Sequence, residues 1–367
     1  MKIYANREEI LSPLLLVGGV IEKRQTMPIL TNILLQIQQG RMTITATDME
    51  LELRIAVAVE SEGESEFTLP GRKFADICRA LPDGARIEIE ISGEKATLRS
   101  GKSRFSLGIL PARDYPSIEP TGASQRFSLP RERLRELLER TQFAMAQQDV
   151  RYYLNGLLLE IEQGMVRAVA TDGHRLALSQ ASCEVETEGS IQMLIPRKGV
   201  LELTKMLGDP ALESVEVEAG SNHIRLYMGS SIFTSKLIDG KYPDYQRVLP
   251  RNSEKKVLVD RELLKQALSR TAILSNEKYR GINFFFKSGS LQMQAHNPEQ
   301  EEAEEEIEID YEGEELSIGF NVGYMLDVLG AIKGERVQMA LGNANTSCLL
   351  HEEGSDASRY VIMPMRL

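Results

Sequence analysis

The residues with the most chemical potential lie in Ala170-Thr171-Asp172-Gly173-His174-Arg175-Leu176-Ala177. A carboxylate and an imidazole two positions apart could form an acid–base pair. No nucleophile is placed by spacing to use it, and both residues fall in a tight turn. The pattern therefore reads as a turn aspartate beside a surface histidine. His174, His223, His296 and His351 share no metal-ligand spacing among themselves or with Cys78, Cys183 and Cys348. The cysteines, far apart and outside any C-x-x-C, read as reduced and mostly buried thiols. Gly101-Lys102-Ser103 has the ending of a phosphate-binding loop, but Ala96 stands where the first glycine of that motif belongs. No G-x-G-x-x-G follows a strand. The acidic run from Glu299 to Asp310 reads as a solvated strand face or loop. No cofactor and no metal is expected, and an enzyme is not.

The elements that hold Asp172 explain it better. Ala168 to Leu178 reads as strand, Asp172-Gly173 turn and strand, a two-residue hairpin in which Asp-Gly supplies positive φ. Weaker versions occur at Thr45-Ala46-Thr47-Asp48 and Gln294-Ala295-His296-Asn297. Asp48, Asp172 and Asn297 are 124 and 125 residues apart, the first sign of a threefold repeat.

The rest of the chain obeys that period. Each copy opens on a helical pattern, from Arg7 to about Lys23, Arg131 to Gln147, and Arg261 to about Glu277. Leu134, Leu137, Leu138, Thr141 and Met145 form one apolar stripe in the second; Pro13 and Gly18-Gly19 shorten or kink the first. Paired strands follow, around Ile33–Ile37, Leu157–Ile161 and Ile282–Phe286. A second helix then starts behind Pro70, Pro196 and Asn321, 126 and 125 residues apart. Strands around Phe105, Phe233 and Tyr360 close each copy.

The reading is α+β: three repeated domains, 1–119, 126–248 and 250–367, each with two helices and antiparallel sheets and each itself a duplicated unit. Six helices and three sheets in one repeating order suggest an arc or ring with the helices on one face. The 367 residues, 42% apolar and 26% charged, suit such soluble domains. No apolar signal run opens the chain and no segment reaches membrane-span length, which predicts the cytoplasm and no membrane partner.

A net charge of −11 argues against nucleic acid, but a basic concave face can coexist with an acidic exterior. Arg72 and Arg79 lie seven apart on one face of the second helix in copy one, and Lys198 and Lys205 take the same offsets in copy two. Arg133 and Arg140 repeat the spacing; Gly323 and Gly330 leave copy three without it. Such a stripe could track phosphates, and Tyr152 and Tyr153 beside Gln148 and Arg151 could meet bases or sugars.

Together Gln148-Asp149-Val150-Arg151-Tyr152-Tyr153-Leu154-Asn155-Gly156, Ala170 to Ala177, and the terminal Met363-Pro364-Met365-Arg366-Leu367 resemble the bacterial DNA polymerase III β subunit family, the replicative sliding clamps. The resemblance covers the whole chain; archaeal and eukaryotic clamps, with two such domains per chain, do not fit. It implies a homodimer closed head to tail into a ring of six similar domains, helices lining the hole and sheets forming the rim. It implies a non-catalytic processivity factor on duplex DNA without sequence preference. The replicative polymerase, clamp loader and repair factors would dock through short clamp-binding peptides.

Carried over by position, DNA contacts would come from Arg24, Arg72, Gln148, Tyr152, Tyr153 and Arg197. A partner-peptide pocket would be floored by Leu154, Thr171, Gly173, His174, Arg175 and Leu176. Pro243, Arg247, Val248 and Ser347, with Val361, Ile362, Met363, Pro364, Met365 and Arg366, would complete it. Subunit contacts would pair Phe105 and Leu107 with Ile273 and Leu274. The rival readings are an enzyme built on Asp172 and His174, and an acidic scaffold without DNA; the first lacks converging polar groups, the second gives no reason for repeated basic offsets.

Overall fold

A computed structural model describes residues 1–22, 27–119, 125–162, 164–185, 189–250 and 254–367. Six α-helices recur in it: α1 Arg7–Gly18, α2 Gly71–Ala80, α3 Arg131–Thr141, α4 Arg197–Met206, α5 Arg261–Thr271 and α6 Val322–Ala331. The second helix of each copy begins directly after Pro70, Pro196 or Asn321, and the Asn321 side chain accepts from the Tyr324 N–H at 3.2 Å as a cap. The first helices are shorter than their apolar patterns. In α3 and α5 the chain tightens into three-residue 3-10 turns, Gln142–Ala144 and Ala272–Leu274. Buried Thr141 and Thr271 sit at those ends, their hydroxyls bonded back to Leu137 and Ala267 carbonyls at 2.7 and 2.9 Å. Tolerating Pro13, α1 stops at Gly18, before a second glycine.

Each copy runs strand, helix, three strands, and then repeats that order. The strand pairing departs from the expected three sheets: four are present among the described residues. One eight-stranded sheet runs Gln125–Pro130, Ser214–Ala219, His223–Met228, Ser231–Lys236, Leu51–Ala58, Arg41–Thr47, Asn32–Gln38, Ser65–Pro70. It fuses half of copy one to half of copy two through Phe233 opposite Leu53. A second eight-stranded sheet fuses copy two to copy three through Tyr360 opposite Ala177. The remaining halves stay separate. Copy one keeps a five-stranded sheet ending on Ser103–Gly108, and copy three a four-stranded sheet ending on Glu302–Glu308.

These sheets lie in two compact units, Met1–Arg135 with Lys198–Leu237 and Glu136–Arg197 with Ile238–Leu367. Alternating strand residues such as Ile33, Leu35 and Ile37 bury one sheet face completely, with Phe74 and Cys78 of α2 also in the core. No helix among the described residues is long and apolar enough to cross a membrane.

The hairpin loops differ from the expected two-residue turn. The last pairs are Thr171 with Leu176 and Thr47 with Glu52, leaving four residues in each loop. Only one residue per loop has positive φ, Gly173 at 89° and Met49 at 75°. The aspartate stays in ordinary backbone space and closes the loop with its side chain. Asp172 Oδ1 accepts from the His174 and Arg175 N–H groups at 2.9 and 3.0 Å, and Asp48 Oδ1 from Glu50 and Leu51 at 2.9 and 2.7 Å. Thr171 and Thr47 donate their hydroxyls to the Arg175 and Leu51 carbonyls. In copy three Asn297 Oδ1 accepts from Glu301 at 3.0 Å, one residue later, and Gln300 carries the positive φ.

Buried tyrosines pin the chain that leaves each of the first two copies. The Tyr115 hydroxyl donates to the Asn32 carbonyl and accepts from the Thr47 N–H, and the Tyr242 hydroxyl reaches the Val169 carbonyl. In unit one the Asp48 loop is also an ion-pair site: Lys198 Nζ meets Asp48 Oδ2 at 2.5 Å and Glu22 at 3.0 Å. Asp48 is 7% exposed. Asp48→Ala would strand two loop N–H groups and leave Lys198 with Glu22 and the Val20 carbonyl, a loss of about 1–3 kcal/mol in urea unfolding. Asp48→Asn, which keeps an acceptor for the loop, should cost less.

Candidate functional site

An apolar sheet face is the base of the site. Leu158, Val169, Leu176, Leu178, Leu194 and Val361 form one buried cluster, and Tyr242 and Tyr245 pack onto it from the segment that leaves copy two. Tyr153, Leu249 and Leu349 are partly buried against the same cluster. Around this floor stand exposed groups that the sequence named. Val248 and Met363 are 44% and 46% exposed; Pro243, Arg247 and His174 are also exposed, and Arg247 pairs with Asp244 at 2.8 Å. The Met363 N–H donates to the His174 carbonyl at 2.9 Å, tying the C-terminal segment to the Asp172 loop. Leu154 is buried at the end of the 3-10 turn Tyr152–Leu154, and Ser347 is half-buried just before the strand Cys348–Glu352.

Two of the expected lining residues do something else. Ile362 is fully buried, and because strand side chains alternate it faces away from Val361, on the side of Tyr360. Arg175 is withdrawn. Its guanidinium bonds Asp172 at 3.1 Å and the Phe143 carbonyl at 2.8 Å, pairs with Asp327, and stacks 4.4 Å from the Tyr324 ring centroid. Arg175 thus ties the loop to α6. Glycine suits position 173 on two counts: its positive φ, and the 3.0 Å that would separate a Cβ there from the Arg151 guanidinium.

The tail beyond Ile362 is seated rather than loose. Met365 bridges to Gly319, its N–H donating to the Gly319 carbonyl at 2.8 Å. The Leu367 side chain occupies the space that a Cβ on Gly281 or Gly319 would need. Met365 holds the place of Leu110 and Ile238 in the earlier copies, which meet the same strand at Thr68 and Leu194. The half-buried Pro364 and exposed Arg366 flank it.

The expected DNA contacts divide. Tyr152 is 58% exposed with its ring edge-on to Tyr153 at 5.8 Å, while Tyr153 is partly buried against the core. Gln148 is exposed with a left-handed φ of 57°. Arg72 is exposed and donates to the uncharged Ile21 carbonyl at 2.6 Å. Arg197 is half-buried and donates to the Met145 carbonyl; burial and then the Arg175 charge lower its pKa. Arg24 lies outside the described residues.

Much of the predicted basic stripe is neutralised. Lys198 pairs with Asp48 and Glu22, Arg79 with Asp76 at 2.8 Å, Lys205 with Glu202 at 2.7 Å, and Arg140 with Glu136 and Glu352. Asp76, Glu202 and Glu136 lie one turn away on the same helices, whereas Asp48, Glu22 and Glu352 come from other segments, which basic offsets alone do not reveal.

Asp172 spends both carboxylate oxygens on the loop and Arg175, which fits a structural aspartate. Gly101-Lys102 is a two-residue hairpin turn between Ser100 and Ser103, with no helix behind it. Burial raises the Cys78 thiol to about 12. Phe105 and Leu107 are partly exposed on the sheet-edge strand Ser103–Gly108, and Ile273 is 76% exposed beside Leu274 in the turn Ala272–Leu274.

Three duplicated α+β copies joined by shared sheets, with an apolar sheet face beside which the chain's own tail is tied down, define a clamp-type repeat protein. Models of the N-terminal, central and C-terminal domains of the DNA polymerase III beta subunit match residues 1–119, 128–244 and 246–366. The chain is 53% identical to the beta sliding clamp of Pseudomonas putida and 48% identical to that of Escherichia coli, in both cases over all of each chain. A sliding clamp from Pseudomonas aeruginosa, solved bound to griselimycin, is 50% identical and superposes with a TM-score of 0.96 over all of both chains. The chain belongs to the DNA polymerase III β subunit family, the sliding clamps that serve as processivity factors of that polymerase.

The seated tail gives a direct test. In Gly319→Ala the new methyl would meet the Met365 carbonyl and Leu367, so the tail should leave its strand while the sheet persists. Carboxypeptidase trimming should then speed up about tenfold or more, the opening cost falling by about 1.4 kcal/mol or more, with the far-ultraviolet spectrum unchanged.

Proposed function

We propose that two copies of this chain close into a ring around duplex DNA and hold replication and repair factors there, without catalysing a reaction. The observation that carries the proposal is a pair of edge strands, Ser103–Gly108 and Glu302–Glu308, each without a strand neighbour on one side among the described residues. Within the chain, the strand bearing Phe233 pairs with the strand bearing Leu53, and the strand bearing Tyr360 with the strand bearing Ala177. Leu53, Ala177 and Ala303 hold one repeat position, each opposite an alanine of the preceding strand, Ala46, Ala170 and Ala295. Phe105 holds the position of Phe233 and Tyr360. The third junction is therefore Phe105 opposite Ala303 of the partner subunit, which puts Arg104 opposite Glu304 of the partner subunit. Ile273 and Leu274 add apolar area beside it. Two such junctions close a homodimer head to tail by twofold rotation, with domains at about 1–119, 126–248 and 250–367.

Arg72, Arg197, Gln148, Tyr152 and Tyr153, with Arg24, would meet the phosphate backbone, which favours sliding because such contacts carry no base information. The apolar groove suits short peptides of the polymerase, clamp loader and repair factors, with Met363 and Met365 adapting to varied side chains. The griselimycin complex of the relative supports a ligand-holding role in this family. A cytoplasmic location accords with such partners.

Two outcomes test the reading. Arg104→Glu should raise the dimer dissociation constant about tenfold or more by placing like charges opposite each other at both junctions, with Glu304→Arg in the same chain restoring it. Ile273→Ala with Leu274→Ala should also weaken the dimer. An unchanged mass by light scattering in every variant would place the interface elsewhere. Removing Met363 to Leu367 should abolish peptide binding yet leave solution mass and retention on circular DNA intact. Unchanged peptide affinity in that folded truncation would sink the groove assignment.

A further inference from the structure

The apolar floor continues past the groove into a second, polar cavity. Along the paired strands Leu176 lies opposite Val361, and two residues on Leu178 lies opposite Arg359. Strand alternation puts all four on one face. A cavity of about 390 Å³ opens at the second pair, lined by Leu178, Leu249, Tyr245 and the polar side chains of Arg167, Gln180 and Arg359, among others. Leu178, Tyr245 and Leu249 also belong to or pack on the cluster that floors the groove, so the two spaces share a base.

The charges in this cavity do not cancel among the described residues. Arg167 is matched: it pairs with Glu160 and Glu162 at 3.2 Å each and donates to Gln180 at 3.3 Å. Glu160 is itself saturated, accepting also from the Tyr245 hydroxyl at 2.6 Å and Gln192 at 2.7 Å. Arg359 has no carboxylate partner among the described residues, and its Nε is buried without an acceptor. A buried donor of a charged group without an acceptor is costly. One carboxylate from outside would satisfy it, and no more than one is called for.

We propose that the cavity is a subsite for a single aspartate or glutamate side chain of the docked peptide. It rests on the reading of the groove as a peptide site. Two residues of strand span about 7 Å, so the acid belongs about two positions beyond the apolar side chain seated over Leu176 and Val361.

The test uses a short peptide with the leading Gln and trailing Leu and Phe that clients of the sliding-clamp family carry, extended at either end by Gly-Asp, Gly-Asn or Gly-Lys, titrated against the full-length protein. At one end the Asp extension should bind about fivefold tighter than the Asn extension, and Lys weaker than either. In Arg359→Ala, and in Arg359→Gln should the alanine variant fold poorly, the Asp-to-Asn ratio should fall to about one. An equal ratio at both ends on the unaltered protein, or a gain that survives both substitutions, overturns the subsite while leaving the groove standing. Failure of every peptide to bind the unaltered protein overturns both.

Discussion

An unpaired sheet edge is the constraint on which this structure turns. Every strand at the margin of a sheet exposes a row of backbone donors and acceptors that must find partners or be shielded. Each copy makes two half-sheets, and the chain settles most edges internally. The half-sheets of successive copies fuse through Phe233 with Leu53 and Tyr360 with Ala177. The opposite margins are met by Leu110, Ile238 and Met365 from the segment that follows each copy. Among the edges that remain in the described residues, two hold matching repeat positions, one with Arg104 and one with a run of glutamates, and the proposed assembly follows from joining them.

The loop aspartates show how a short local device is reused for different ends. Asp48 and Asp172 cap the same four-residue loop with the same two N–H contacts. Their second oxygen then serves a different partner: Lys198 for Asp48 and Arg175 for Asp172. The residue that most resembled a catalytic acid is thus a joint. Gly173 opens space beside that joint for Arg151, while Met49 takes the equivalent backbone strain without needing such space. Met363 is tied to the same loop, its N–H bonded to the His174 carbonyl.

The sequence by itself determined the threefold period, the α+β class, the starts of the second helices and the strands around Ile33, Leu157 and Ile282. Those features rest on local chemistry: proline or asparagine at a helix start, alternation in a strand, and a side chain bonding its own loop. Only the tertiary structure decided the sheets, because strand pairing between residues 180 apart leaves no local trace and the half-sheets of neighbouring copies merge. It also decided which cations stay available. Lys198 and Arg72 share an offset, yet one is neutralised by Asp48 and Glu22 and the other faces a carbonyl. The side that Ile362 faces was also decided by the fold: adjacent residues of a strand face opposite ways, and a run such as Val361-Ile362-Met363 does not say which face meets the apolar cluster. The early helix ends at Thr141 and Thr271 required the buried hydroxyl contacts to be seen, and the unmatched Arg359 required the fold that gathers acids around Arg167 and none, among the described residues, around it.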